Sequence, residues 1–124
     1  MSETPEELRA RSLAKMSEVY GWEFQDGPGD FYGITADHLF GEIWSREGLT
    51  VAQRRLLLIG LLAGRNQLDV ADLQLSCAAN LGELDATALR EIVIFLAHYA
   101  GWPTGAVLNN SVETIVSKLD SAGG

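Results

Sequence analysis

The sequence predicts an all-helical protein, a single-domain bundle of about six helices. Three features predict it. Helix start and stop residues recur along the chain, and the apolar residues between them repeat at the spacing of three and four that marks a helix face. No segment alternates for long enough to make a useful strand. The 124 residues suit one domain, and a hydrophobic content of 47% supplies a core. A chain of this size leaves much of its surface exposed. The fold is therefore expected to complete itself by packing against copies of the same chain.

Each element has its own punctuation. Thr4-Pro5-Glu6-Glu7 opens the first helix: Thr4 caps, Pro5 suits the first helical position and Glu7 closes a capping box. This helix runs to about Val19 and stops near Gly21, with Leu8, Met16, Val19 and Tyr20 along one side. Residues 21–33 read as a loop, because four glycines and a proline break any period. Its Trp22, Phe24, Phe31 and Tyr32 are expected to pack on the core or line a pocket. A second helix spans roughly Thr35 to Trp44. Thr50 and Gln53 form another capping box, opening a third helix from Val51 to Ala63. From Leu56 to Ala63 that helix is apolar on every side, which predicts a central helix enclosed by others. Asp69 is expected to cap a fourth helix ending at Leu81. Asp85 opens a fifth, which ends at Ala100 before Gly101 and Pro103. The sixth spans about Thr104 to Leu119, with Leu108, Val112, Ile115 and Val116 on one face. The domain core is expected over about residues 7–118, with 119–124 a flexible tail.

Charge narrows the function classes. The formal net charge is −8, which argues against nucleic-acid binding. The most apolar run, Leu56 to Ala63, is about half the length a membrane span needs. The opening Met-Ser-Glu-Thr-Pro-Glu-Glu lacks the charge and apolar run of a secretory signal. A cytoplasmic protein is expected. Cys77 is the one cysteine, so neither an internal disulfide nor a Cys-x-x-Cys redox pair is available. No glycine-rich phosphate loop is present. Between Trp44 and Leu68 the chain carries Arg46, Arg54, Arg55 and Arg65 against Glu47 alone. These arginines either hold a small anion or pair with acidic residues elsewhere.

The fifth helix has two faces worth burying. Leu89, Ile92, Val93, Leu96 and Ala100 form an ordinary core stripe. Glu91, Phe95, His98 and Trp102 share the opposite side. Phe and Trp each carry about 150–250 Å² of surface, and at about 25 cal/mol per Å² their exposure forgoes several kcal/mol. Either the 21–33 loop or another subunit is expected to cover them. There His98 and Glu91 either share a proton and orient a ligand, or His98 is a structural interface residue. His38 and Glu42, four apart on one face, read as an acid/base pair or as an exposed surface pair. Two histidines and no cysteine cluster do not make a metal site. Ser76 and Cys77 invite a nucleophile reading, but no activating base can be assigned. The small residues Ser76, Cys77, Ala78 and Ala79 also mark close helix packing.

The stretch Asp37-His38-Leu39-Phe40-Gly41-Glu42-Ile43-Trp44-Ser45-Arg46-Glu47-Gly48-Leu49, the arginine-led apolar helix Arg54–Gly64, Ala78-Ala79-Asn80-Leu81-Gly82 and Leu96-Ala97-His98-Tyr99-Ala100-Gly101-Trp102-Pro103 together resemble the carboxymuconolactone decarboxylase family. That family includes the alkylhydroperoxidase-D-like proteins. The resemblance runs in order over about residues 7–118. It implies an all-helical fold assembled as dimers, trimers or hexamers, with sites near subunit contacts. The chain departs from the pattern at telling positions. Gln74 and Phe95 stand where decarboxylase members carry histidines, and Ser76 replaces an arginine. Against the peroxidase pattern, Arg55 stands for a glutamate, Gln74 for a histidine, and the cysteine pair is missing. Glutamine does not move protons at neutral pH, so neither family mechanism transfers intact.

The leading expectation is a cofactor-independent, decarboxylase-like lyase acting on a small anionic lactone or cyclic acid, as a homo-oligomer. His98, His38 and Glu42 would handle the proton. Arg46 and Arg55 would hold a carboxylate, and Gln74, Phe95 and Trp102 would complete the substrate site. The alternative is a non-catalytic oligomer that binds a small apolar ligand or partner. A thiol peroxidase acting through Cys77 is the third reading. No metal, cofactor, nucleic acid or membrane is implied.

Overall fold

The computed structural model describes residues 2–123. The described residues are all-helical, as the sequence predicts, with six helical stretches and no strand. The chain divides into two compact units, Met1–Val51 and Ala52–Gly124.

In the first unit, α1 (Pro5–Tyr20) begins as expected. Thr4 Oγ1 accepts from the Glu7 backbone, Glu7 returns the bond to the Thr4 N–H, and Gly21 ends the helix in the left-handed region. The second helix starts earlier than expected. A short α2 (Asp30–Ile34) leads directly into a π-helical segment, Thr35–Ile43. The expected 21–33 loop is shortened accordingly. π-Helical turns are usually single bulges, but here the wide turn carries nine residues, and Trp44 N–H still donates to Leu39 O at 2.8 Å. The segment packs on α1. Gly41 permits that approach, because a Cβ there would collide with Ser12 Oγ, and Arg11 Nη1 donates to its carbonyl at 2.6 Å.

Two of the loop aromatics, Trp22 and Phe24, pack inside this unit. Tyr20 meets Trp22, Phe24 and Phe40 with ring centroids 5.3–5.7 Å apart, and Phe40 stacks on Trp44 at 5.9 Å. Phe31 is exposed, so it neither packs on the core nor lines a pocket.

The second unit holds α3 (Val51–Gly64), α4 (Leu68–Asn80), α5 (Ala86–Ala100) and α6 (Trp102–Gly123). Its core joins Ile59, Leu62 and Ala63 to Leu75, Leu89, Val93, Leu108 and Val112. α6 packs on both α4 and α5. Cys77, Ala78 and Ala79 are buried, in keeping with the close packing their size suggested. Asp85 caps α5 by accepting from Ala88 N–H. Asp69 does not cap α4: it lies in the first turn and Gln67 holds the cap position, because the helix begins one residue before Asp69. α6 starts at Trp102, with Pro103 in its first turn, and continues past Leu119 to Gly123. Gly124 lies outside the described residues.

The third helix is not enclosed. Its inner side is buried, but Leu56, Leu57 and Leu61 are exposed. An all-round apolar helix predicts full burial only if the chain supplies neighbours on every side, and this chain does not. Among the described residues no helix is long and apolar enough to cross a membrane.

Candidate functional site

The expected site residues fall in both units. His38, Glu42 and Arg46 belong to the first, and Arg55, Gln74, Phe95, His98 and Trp102 to the second.

On the π-helical segment, His38 Nδ1 donates to Glu42 Oε2 at 2.9 Å, with both side chains well exposed. This is the geometry of a surface ion pair. Arg46 is also exposed. Behind them, Arg9 forks onto Asp37, with Nε to Oδ1 at 3.0 Å and Nη2 to Oδ2 at 3.1 Å, and reaches Asp26 at 2.7 Å. The Arg9 hydrogen bonds hold the Asp37 carboxyl below its ordinary pKa and raise that of Arg9.

In the second unit Arg55 is fully buried, at 0% exposure. It is already engaged. Its Nε and Nη2 donate to the two carboxylate oxygens of Glu83 at 2.6 and 3.1 Å, and its Nη1 donates to Gln74 Oε1 at 2.8 Å. Bidentate pairing of this kind is the strongest geometry available to arginine. Of the two readings of the arginine-rich stretch, pairing with a distant acid describes Arg55. Gln74 serves as a neutral acceptor for the same guanidinium. Glu83 is not legible in the sequence as the partner of Arg55. It is 28 positions from Arg55, in the turn after α4, and no local pattern links the two.

Cys77 is 2% exposed, and burial raises its thiol pKa. The thiolate is the reactive form, so this surrounding suppresses reactivity. Among the described residues no three His, Cys, Asp or Glu side chains are grouped to hold a metal.

The outward side of α5 carries the remaining candidates. Phe95 is 64% and Trp102 68% exposed, and Tyr99, which touches Phe95 at 5.2 Å, is 81% exposed. His98 Nδ1 donates to the Ile94 carbonyl at 2.6 Å. A carbonyl only accepts, so in the neutral ring that bond places the proton on Nδ1 and leaves Nε2 unprotonated. The Trp102 ring meets the imidazole edge-on at 5.8 Å. Trp102 also walls a pocket of about 270 Å³ between α5 and α6, lined by Val93, Ile94, Ala97, Gly105, Ala106 and Asn109. Gly105 sets its floor, since a Cβ there would stand 2.5 Å from Ala97 Cβ. Asn109 brings the one side-chain amide to that lining. Asn109 was not legible in the sequence, because an exposed asparagine on a helix has no signature until a cavity adjoins it. Along the other flank of the same helix, α3 and α5 share an open apolar groove of about 550 Å³, with Glu91 its one charged residue.

The chain is similar to a 4-carboxymuconolactone decarboxylase. That protein, from Acinetobacter baylyi, is 28% identical over 93 residues, covering 75% of this chain and 69% of its own length. No protein-family model matches. The likeness supports a decarboxylase-like family.

Proposed function

We propose that this chain is a cofactor-free, decarboxylase-like lyase acting on a small anionic cyclic acid such as a carboxylated lactone, with His98 as the proton carrier. The observation that carries the reading is the fixed tautomer of His98 beside the Trp102-walled pocket. The similarity to a 4-carboxymuconolactone decarboxylase supports the reaction class.

The chemistry needs few parts. When the carboxylate leaves as carbon dioxide, its bonding pair passes into the ring's conjugated carbonyl. Nε2, having first taken a proton from solvent, returns it to the carbon that lost the carboxylate, and the ring is neutral again with its Nδ1 proton still on the Ile94 carbonyl. An apolar wall favours loss of the charged carboxylate, and the Asn109 amide in the pocket lining would donate to the oxygen that gains charge. Arg55 takes no part in this scheme, because a substrate carboxylate would first have to displace Glu83. The His38–Glu42 pair, with Arg46 nearby in sequence, is a separate exposed set that the same assay tests.

The test is release of carbon dioxide from a panel of lactone acids. His98→Gln should lower turnover by about 10²–10⁴-fold, while His38→Gln leaves it near the parent rate. Undiminished turnover in His98→Gln removes the proposed role.

A second reading, a non-catalytic binder of small apolar ligands, is favoured by the sequestered Arg55 and the apolar linings of both cavities. It predicts a rise in melting temperature with ligand and no product. The thiol-peroxidase reading has the least support, given the burial of Cys77.

A further inference from the structure

We infer that the α5–α6 pocket takes a ring bearing a single carboxylate, at its Trp102 end, and an uncharged oxygen at its Asn109 end. Asn109, with Glu113 behind it, turns away a second carboxylate. The loss of that single carboxylate rests on the lyase reading above. The preference for one charge over two does not, because it is a property of binding.

The pocket has two chemically different ends. Trp102 and Asn109 are seven residues apart on α6, which separates them by about 10 Å along the helix axis. His98 belongs to the Trp102 end. Its ring meets Trp102 at 5.8 Å, and its Nδ1 donates to the carbonyl of Ile94, a lining residue. A carbon that receives its proton from Nε2 has to lie at that end, and so does the carboxylate that this carbon loses. The cavity of about 270 Å³ matches roughly nine waters of liquid. That is room for one ring with a short substituent at each end.

The Asn109 end is uncharged in its lining and acidic behind it. Val93, Ala97 and Ala106 are apolar there, and Asn109 offers a neutral amide. A carboxylate placed among them would lose its hydration against a lining that supplies no countercharge. α5 carries one arginine, Arg90, one turn before Ile94. It is held by Glu113, one turn after Asn109 on α6: Nε donates to Oε2 and Nη2 to Oε1, each at 2.9 Å. The Glu113 hydrogen bonds raise the Arg90 pKa, and the charge of Asp120 acts in the same direction. One guanidinium therefore balances two carboxylates, and a third brought by the ligand would meet net negative charge.

An amide suits a neutral oxygen instead. It donates to a ring carbonyl or accepts from a hydroxyl. A carbonyl at that end, conjugated with the reacting carbon, takes the electron pair that departing carbon dioxide leaves behind. The pair returns to form the C–H bond as Nε2 delivers its proton, so no oxidant or further reactant is needed.

The experiment is calorimetric titration of the full chain with two unreactive probes of one shape, terephthalate and its monoamide, 4-carbamoylbenzoate. They differ only in the charge at one end. The monoamide should bind at least about tenfold tighter. Asn109→Leu should weaken the monoamide by about tenfold and leave unsubstituted benzoate within about twofold. Glu113→Gln removes the carboxylate that holds Arg90, and should bring the two probes within about threefold of each other. Ala106→Trp, at an exposed lining position, fills the pocket and should abolish binding of both, with unchanged circular dichroism certifying the fold. Equal or tighter binding of terephthalate by the parent chain overturns the inference, as does binding of neither probe or binding that survives Ala106→Trp. The parent's preference retained in Asn109→Leu or in Glu113→Gln overturns the role given to that residue. The charge preference without carbon dioxide release from any ring acid defeats the lyase reading and leaves the inference standing. Turnover of ring diacids as fast as of monoacids does the reverse.

Discussion

Arg55 is the residue on which the second unit's electrostatics turn. A guanidinium at 0% exposure is tolerable because Glu83 and Gln74 occupy its donors. Removing one partner of such a pair strands the other's charge away from water. Glu83→Ala should therefore lower unfolding stability by about 3 kcal/mol, at the lower end for buried pairs because Glu83 keeps some solvent contact. Replacing Arg55 by Met and Glu83 by Leu together should cost far less, since two well-packed apolar groups need no partner. Urea titrations of the single and double variants check this, and equal losses in both would refute the pairing argument. Cys77 gives a second residue-level outcome. Burial raises its thiol pKa, so an aromatic disulfide reagent should label it only slowly in the native protein and fast in denaturant. Rapid native labelling would revive the nucleophile reading.

At the scale of elements, α1 is tied to the π-helical segment by the Arg9–Asp37 fork. The Asp37 pKa is lowered in the folded chain by the Arg9 hydrogen bonds. Its contribution is therefore complete above the unfolded carboxyl value near 4 and is lost as pH falls through the lower folded value. Both side chains keep about a quarter of their surface in water, so solvent screening keeps the contribution small. Thermal melts between pH 7 and pH 3 should show Asp37→Asn losing stability at neutral pH and converging on the parent at low pH. Two glycines make opposite predictions. Gly105→Ala should destabilise by about 1–3 kcal/mol, because its Cβ would press into Ala97 where α5 and α6 cross. Gly60→Ala should stabilise the separated chain by about 1 kcal/mol, since open space surrounds it. Loss of stability in Gly60→Ala under dissociating conditions would mean that its backbone, not its surroundings, requires glycine.

For the whole molecule, a chain that leaves Leu57, Phe95, Tyr99 and Trp102 largely exposed should gain stability when anything covers them. If copies of the chain do so, the melting temperature rises with protein concentration by mass action. A melting temperature that is flat over a hundredfold concentration range would count against self-association as a source of stability.

Much of the fold was legible in the sequence because helix ends are local chemistry. The Thr4–Glu7 capping box, the Asp85 cap and the Gly21 stop each act within four residues, and such signals survive without knowledge of the fold. The two-faced character of α5 was legible for the same reason, since periodicity alone separates Leu89 and Val93 from Phe95 and His98. The π-helical turn was not, because its hydrogen-bond register depends on how Gly41 lies against Ser12 on another helix. Nor was the enclosure of α3, since burial depends on which neighbours arrive.

The sequence by itself determined that this protein is helical, where most of its helices begin and end, and which side of α5 is apolar beyond the needs of a core. Only the tertiary structure decided that Arg55 pairs with Glu83, that Cys77 is shielded, and that Trp22 and Phe24 pack on Tyr20 within their own unit. The physical reason is range. Capping and periodicity act over a turn or two of backbone, whereas the partner of a buried charge is chosen by chain segments brought together from dozens of residues away.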